Sequence, residues 1–260
     1  MKKILSAIMA VAMICTLSVL FTSCGGSGEE FVIGITYFEP MNYFDENNKL
    51  TGFETEFAEA VCKKLGLTPK FQEIDWSAKE TELNSGNIDC IWNGMTITPE
   101  REETMGISSP YMANKQVLVV KAENVEKYSD AANIAGANFC AEEGSAGADV
   151  ITTNETFAGA NFVSVSTMAT ALMEVAAGTS DGCVIDYVTC IGMIGEGTDY
   201  AGLSVVEAYQ FNEEFYGIAF RKDDNATREK FNQAIFDLMA DGTVDAIAAK
   251  YKLGDLLVKG

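Results

Sequence analysis

From residue 31 onward the chain alternates between two hydrophobic periods. The segment FVIGIT (31–36) is a short apolar run of strand type. YFEPMNYFDENNKLTGF follows, with Pro40 and the polar DENNK marking loop and turn. From Thr55 the period changes: Phe57, Ala60, Val61 and Leu65 share one helical face, and Gly66 stands just past the end. PKFQEI reads as a strand, WSAKETELNSG as a short helix ending at Gly86, and IDCIWNG as a buried strand. After the strand-like NKQVLVVK (114–121) the rhythm restarts with ANFCAEEG as strand, SAGADVITT as helix and ANFVSV as strand. Met168, Ala171, Leu172, Val175 and Ala176 then stripe a helix capped by Ser166 or Thr167 and stopped by Gly178. GCVID is a further strand, and two striped helices close the chain, one through Phe231, Ala234, Ile235, Leu238 and Met239, the other through Val244, Ile247, Ala248 and Tyr251. Strands alternating with helices predict an α/β fold whose ligand sits beyond the carboxyl ends of the strands. Two units of roughly 90 residues each, joined by strand-like segments near 111–121 and 205–220, predict two lobes with a cleft between them.

The first 23 residues stand apart from this rhythm. Lys2 and Lys3, the apolar run ILSAIMAVAMICTLSVLF and the small residues before Cys24 have the layout of a secretory signal. An uncleaved spanning helix is the alternative. The TSCG ending resembles a bacterial lipobox, with Phe21 in place of the usual Leu, so Cys24 is the expected lipidated first residue, carrying palmitate-type acyl chains. GGSGEE then reads as a tether over residues 24–30. The expected location is extracytoplasmic, at the cell surface or in the periplasm, anchored to the bacterial membrane.

Composition narrows the chemistry. The net charge is −20, and losing Lys2 and Lys3 with the leader takes it to −22, a field that repels nucleic acid. The chain has no histidine, which excludes Ser-His-Asp and Cys-His catalysis and HExxH zinc sites. Cys62, Cys90, Cys140, Cys183 and Cys190 lie in apolar segments without CxxC spacing and read as small buried residues. No cofactor, metal or catalytic residue is expected, and a monomer is.

One cation then stands out. Arginine occurs at only three positions, and Arg101 follows the turn in WNGMTITPER. By its chemistry alone it pairs with Glu100, Glu102 or Glu103 on a helix surface, or forks a ligand carboxylate. The surrounding motifs bear on that choice. GFETEFAEAVCKKL (52–65), GMTITPER (94–101), GSAG (144–147), DGCVID (181–186) and FYGIAFRKDD (215–224), in this order, resemble the polar-amino-acid family of periplasmic-type solute-binding proteins, the glutamine- and histidine-binding type. The resemblance spans residues 31–253.

The resemblance implies a two-lobed type II clamshell with two crossover segments, lobe 1 being 31–113 with 213–260 and lobe 2 being 114–212. It implies capture of a free, polar L-amino acid for delivery to an ABC permease driven by a separate ATPase, by a binding protein and not an enzyme. Two other readings share the fold. One is a sensor module presenting its closed form to a receptor, which only the co-purifying partner would distinguish. The other is a dehydratase-type enzyme, which product formation would reveal.

By family position, Arg101 forks the α-carboxylate, Thr96 adds its hydroxyl and N–H, and the Gly94 carbonyl accepts from the α-ammonium. Ser145 and the Ala146 N–H reach the carboxylate from the opposite lobe, and Asp186 binds the ammonium, although an Asp at that point is otherwise an N-cap. Trp76 covers the ligand side chain, with Phe38, or Tyr37 if the loop is one residue out of register, on the other face. Asn93, Glu142 and Glu39 are expected pocket neighbours. Glu142 would favour a cationic or amide side chain, while the acid that basic-amino-acid binders carry before the aromatic is absent, Ile35 or Gly34 standing there. Trp92 and Phe53 are expected in the core.

Overall fold

The computed structural model describes residues 28–209 and 211–259, so the expected signal segment, Cys24 and most of the tether lie outside the described residues. In chain order the strands are β1 (Glu29–Ile35), β2 (Tyr43–Phe44), β3 (Leu50–Thr51), β4 (Leu67–Glu73), β5 (Cys90–Thr96), β6 (Met105–Ile107), β7 (Met112–Lys121), β8 (Asn138–Glu142), β9 (Asn161–Val165), β10 (Gly182–Asp186), β11 (Leu203–Val205) and β12 (Glu213–Arg221). The helices are α1 (Phe53–Leu65), α2 (Lys79–Ser85), α3 (Pro99–Thr104), α4 (Val125–Tyr128), α5 (Ala146–Thr153), α6 (Met168–Ala177), α7 (Tyr187–Met193), α8 (Asn225–Ala240) and α9 (Thr243–Lys250).

Strands β4-β1-β5-β12-β7-β10-β8-β9 form one continuous ladder, with β6 on β12 and β11 on β7, while β2 and β3 pair separately. The two long strands join its halves. Residues 112–115 of β7 pair with 213–216 of β12, and residues 116–120 of the same strand pair with β10. Beyond Tyr216, β12 continues along β5 and β6. Two adjacent antiparallel strands therefore carry the chain between a β1-β4-β5 half and a β8-β9-β10 half. β5 is buried at all seven positions, as a strand covered on both faces must be.

Helix α1 shows how the sequence builds one half. Phe53, Phe57 and Val61 are fully buried, Lys63 and Lys64 occupy the last turn, and Gly66 closes it at φ 73. Phe57 meets Trp92 edge-on at 5.1 Å, and Phe231 of α8 packs on Trp92 at 6.3 Å, so Trp92 and Phe53 are core. The helix begins two residues before the Thr55 expected from periodicity. Glu54 is the reason: it is 1% exposed and faces inward. Its carboxylate accepts from Gly94 N–H (2.8 Å), Asn42 Nδ2 (3.0 Å) and the Tyr111 hydroxyl. An acid that polarity assigns to the surface thus ties α1 to the end of β5. Thr167, not Ser166, caps α6, and Gly178 stops it. The five described cysteines are buried and unpaired. Among the described residues no helix is long and apolar enough to cross a membrane.

Removing the Glu54 carboxylate strands three buried donors. Glu54→Ala is expected to cost about 2–4 kcal/mol in urea unfolding and Glu54→Gln distinctly less, whereas equal, near-zero losses would contradict the assignment.

Candidate functional site

Where the two halves meet, one cavity is lined by Trp76, Asn93, Gly94, Thr96, Arg101, Glu142, Ser145, Ala146, Met168 and Asp186. Its protein-free space is about 270 Å³, part of it continuous with solvent. The polar lining comes from the carboxyl ends of β5, β8 and β10 and from the turns that follow them, the place where an α/β sheet leaves polar backbone unpaired.

Arg101 reaches it from helix α3. Thr98 caps that helix through its hydroxyl on Arg101 N–H (3.2 Å), and Pro99 fills the first position, so the first turn is fixed. The side chain turns inward and is 7% exposed. Its Nη1 donates to Thr96 O (2.8 Å), and its Nη2 donates across the cleft to Gly144 O (3.2 Å). Among the described residues no carboxylate forms an ion pair with it. The surface pairing with Glu100, Glu102 or Glu103 does not occur. Burial holds its pKa below the ordinary value, against the pull of Asp149, Glu214 and Asp186.

Asp186 stands on the opposite wall at the end of β10. It occupies the N-cap position of α7 but makes no capping bond, and Asn114 Oδ1 accepts from Val188 N–H instead. Its Oδ1 accepts from Asn114 Nδ2 (2.7 Å) and Gln116 Nε2 (2.6 Å), two side chains on one face of β7. Glu214, from β12, accepts from the same two amides at 2.6 and 2.8 Å and from Thr96 Oγ1 at 3.0 Å. Two carboxylates thus share one pair of amide donors with no cation between them. Burial first and Glu214 second push Asp186 up to about 7.

Ser145 caps α5 by accepting from Ala148 N–H (3.1 Å), which leaves its own hydroxyl proton to donate. Gly94 has φ 55, and a side chain there would meet the Phe38 ring at 3.2 Å. Asn93 lines the cavity, but its amide is held in a two-way exchange with Thr36 at 2.6 and 2.9 Å. Glu142 is 2% exposed, and burial followed by Asp186 pushes its carboxyl up to about 8. Lys79 donates to Trp76 O (3.2 Å) and, across the cleft, to Gly144 O (3.1 Å), with its Nζ over the Trp76 ring at 4.8 Å. Burial and Arg101 push this amine down to about 8.

Nine expected residues therefore converge: Trp76, Asn93, Gly94, Thr96, Arg101, Glu142, Ser145, Ala146 and Asp186. Three do not line the cavity. Phe38 is buried behind Gly94, Tyr37 packs on Phe44 with ring centroids 5.0 Å apart, and Glu39 is exposed. All three lie in the loop between β1 and β2, which also holds Pro40. Lys79, Met168, Glu214, Asn114 and Gln116 were not expected. Met168 reads as part of an apolar helix stripe, but it sits in the first turn of α6, which faces the cleft. Asn114 and Gln116 did leave a signal, two polar residues of one parity entering an apolar strand.

Comparison with known proteins follows this geometry. The family model described as bacterial extracellular solute-binding proteins, family 3, matches residues 31–254. The probable amino-acid-binding protein YxeM of Bacillus subtilis is 31% identical over 221 residues, covering 83% of this chain and 81% of that protein. A probable histidine-binding protein of Neisseria gonorrhoeae is 27% identical, covering 93% of this chain and 94% of its own. Among solved structures, a substrate-binding protein of an ABC uptake transporter from Streptococcus pneumoniae with bound histidine superimposes with a TM-score of 0.78 at 31% identity, covering 88% of this chain and 95% of that one.

Asp186 and Glu54, each at about 7, and Glu142, at about 8, lie above the ordinary carboxyl range in the folded state. Each stabilises the fold fully below that range and loses its contribution as pH rises through the folded value. The melting temperature of the purified protein is therefore expected to fall from about pH 5 to about pH 8, with a shallower fall in Glu214→Gln. A rising profile would contradict the arrangement.

Proposed function

The chain belongs to the bacterial extracellular solute-binding proteins, family 3, and on that premise we propose how it holds its solute. It is the amino-acid-binding component of an ABC uptake transporter, a binding protein and not an enzyme, with the two-lobed periplasmic-binding-protein fold. The residues 31–113 and 213–260 form one lobe and 114–212 the other, and a free L-amino acid lies between them. Arg101 forks its α-carboxylate, with Thr96 and, from the opposite lobe, Ser145 and the Ala146 N–H completing the anion site. Asp186 and the Gly94 carbonyl take the α-ammonium, and Trp76 covers the side chain. The observation that carries this reading is the buried Arg101 without an acidic partner among the described residues, facing a buried Asp186 without a basic one among them.

Neither charge is neutralised by its own half, and a zwitterion neutralises both at once. An isolated buried charge costs several kcal/mol, so a ligand that pairs the two is favoured only where the halves approach. Ligand thus shifts the population toward the closed form. A few charge-assisted bonds of about 1.5–3 kcal/mol each suffice for micromolar affinity, about −8 kcal/mol net. The closed form docks on a membrane permease. A lipid anchor at Cys24 keeps the protein beside it, as the TSCG ending supports.

Arg101→Ala is expected to keep the fold, seen by circular dichroism, while abolishing the rise in melting temperature that amino acids produce in the wild type. An undiminished rise would refute the role of Arg101. Cys24→Ser is expected to move the protein from the membrane fraction to the soluble fraction, and persistence in the membrane would favour an uncleaved helix.

A further inference from the structure

We propose that Glu142 forms the side-chain end of this cleft and that the amino acid it selects carries a cationic side chain. The inference rests on the amino-acid-binding reading above and adds the chemistry of the ligand to it.

Glu142 ends β8, lines the same cavity as Arg101, Asp186 and Trp76, and is 2% exposed. Its Oε1 is buried and has no hydrogen-bond partner among the described residues. Buried carboxyl oxygens are rarely left so, because losing water without a replacement donor is costly. The nearby base does not supply the donor. Lys79 Nζ is engaged by Trp76 O and Gly144 O, and among the described residues it forms no ion pair with Glu142. Asp186 does not supply it either: its Oδ1 accepts from Asn114 and Gln116, and among the described residues it makes no hydrogen bond to Glu142 Oε1.

The sheet order makes the consequence a matter of charge. Strands β12, β7, β10 and β8 are consecutive neighbours, so Glu214, the amides of Asn114 and Gln116, Asp186 and Glu142 succeed one another across one edge. Against these three acids stand two bases, Arg101 and Lys79. With a ligand carboxylate on Arg101 and a ligand ammonium on Asp186, Glu142 is left as the carboxyl of the cleft whose buried oxygen has no partner among the described residues. A guanidinium or ammonium at the ligand's far end balances it and gives Oε1 the donor it lacks. An acidic side chain meets like charge at close range. The Trp76 ring, which already carries the Lys79 amine near one face, lines the same space and tolerates a cation there.

Isothermal titration of the purified protein with L-arginine, L-lysine, L-glutamine and L-glutamate tests this. Arginine or lysine is expected to bind at least about tenfold tighter than glutamine, with glutamate weakest. Glu142→Gln is expected to remove that preference by a loss of about 10–100-fold for the cationic ligand, and Glu142→Asp to restore part of it. A wild type that favours glutamine or glutamate, or a Glu142→Gln protein that melts normally yet keeps the cationic preference, overturns the inference while amino-acid binding stands. No heat with arginine or lysine overturns the inference alone, since another amino acid could still be the ligand.

Discussion

A guanidinium buried without a carboxylate is the constraint on which this molecule turns. Arg101 is removed from water, and among the described residues its guanidinium donates to the Thr96 carbonyl of its own half and the Gly144 carbonyl of the opposite one. Carbonyl oxygens satisfy hydrogen bonds but not a full charge. Under the proposed function that desolvated charge becomes selectivity, its missing counter-ion being the ligand. The same logic, with opposite sign, applies to Asp186, which the amides of Asn114 and Gln116 orient but do not neutralise.

The fold keeps these two unsatisfied groups on different bodies. Arg101 depends on β5 and the capped turn of α3, and Asp186 on β10, and only β7 and β12 link the two halves of the sheet. Glu54 anchors the Gly94 end of β5 and so ties the first wall to α1. Lys79 and Arg101 both donate to Gly144 O, a single oxygen on the facing loop. Glu214 is placed differently from every other group of the site. It lies on a linking strand, touches Thr96 of one wall and shares donors with Asp186 of the other, so the protonation of Asp186 is coupled to the linking strands themselves.

Much of this was legible in the sequence, and the exceptions have physical causes. Element types followed from hydrophobic period, because most strands here are buried runs and most helices carry one apolar stripe. The small residues before α5 and the terminal aspartate of β10 marked two walls of the cleft. Family resemblance favoured the ligand-directed over the local roles of Arg101 and Asp186, between which spacing alone left the choice open. What remained hidden was inward-facing polarity. Glu54 and Lys79 sit in helical stretches where charge reads as surface, and their burial depends on partners at Tyr111 and Gly144, far away in sequence. The aromatic loop was hard to place for a related reason. Phe38 and Tyr37 are placed by the packing of Gly94 and Phe44, not by their order along the chain.

A crystal structure of the protein grown with its amino acid addresses the central claim most directly. The account predicts the α-carboxylate within hydrogen-bond distance of both Arg101 Nη atoms and the α-ammonium within hydrogen-bond distance of Asp186, the two walls meeting across the ligand. A bound amino acid with its carboxylate turned away from Arg101, or lodged outside the space between these walls, would contradict it.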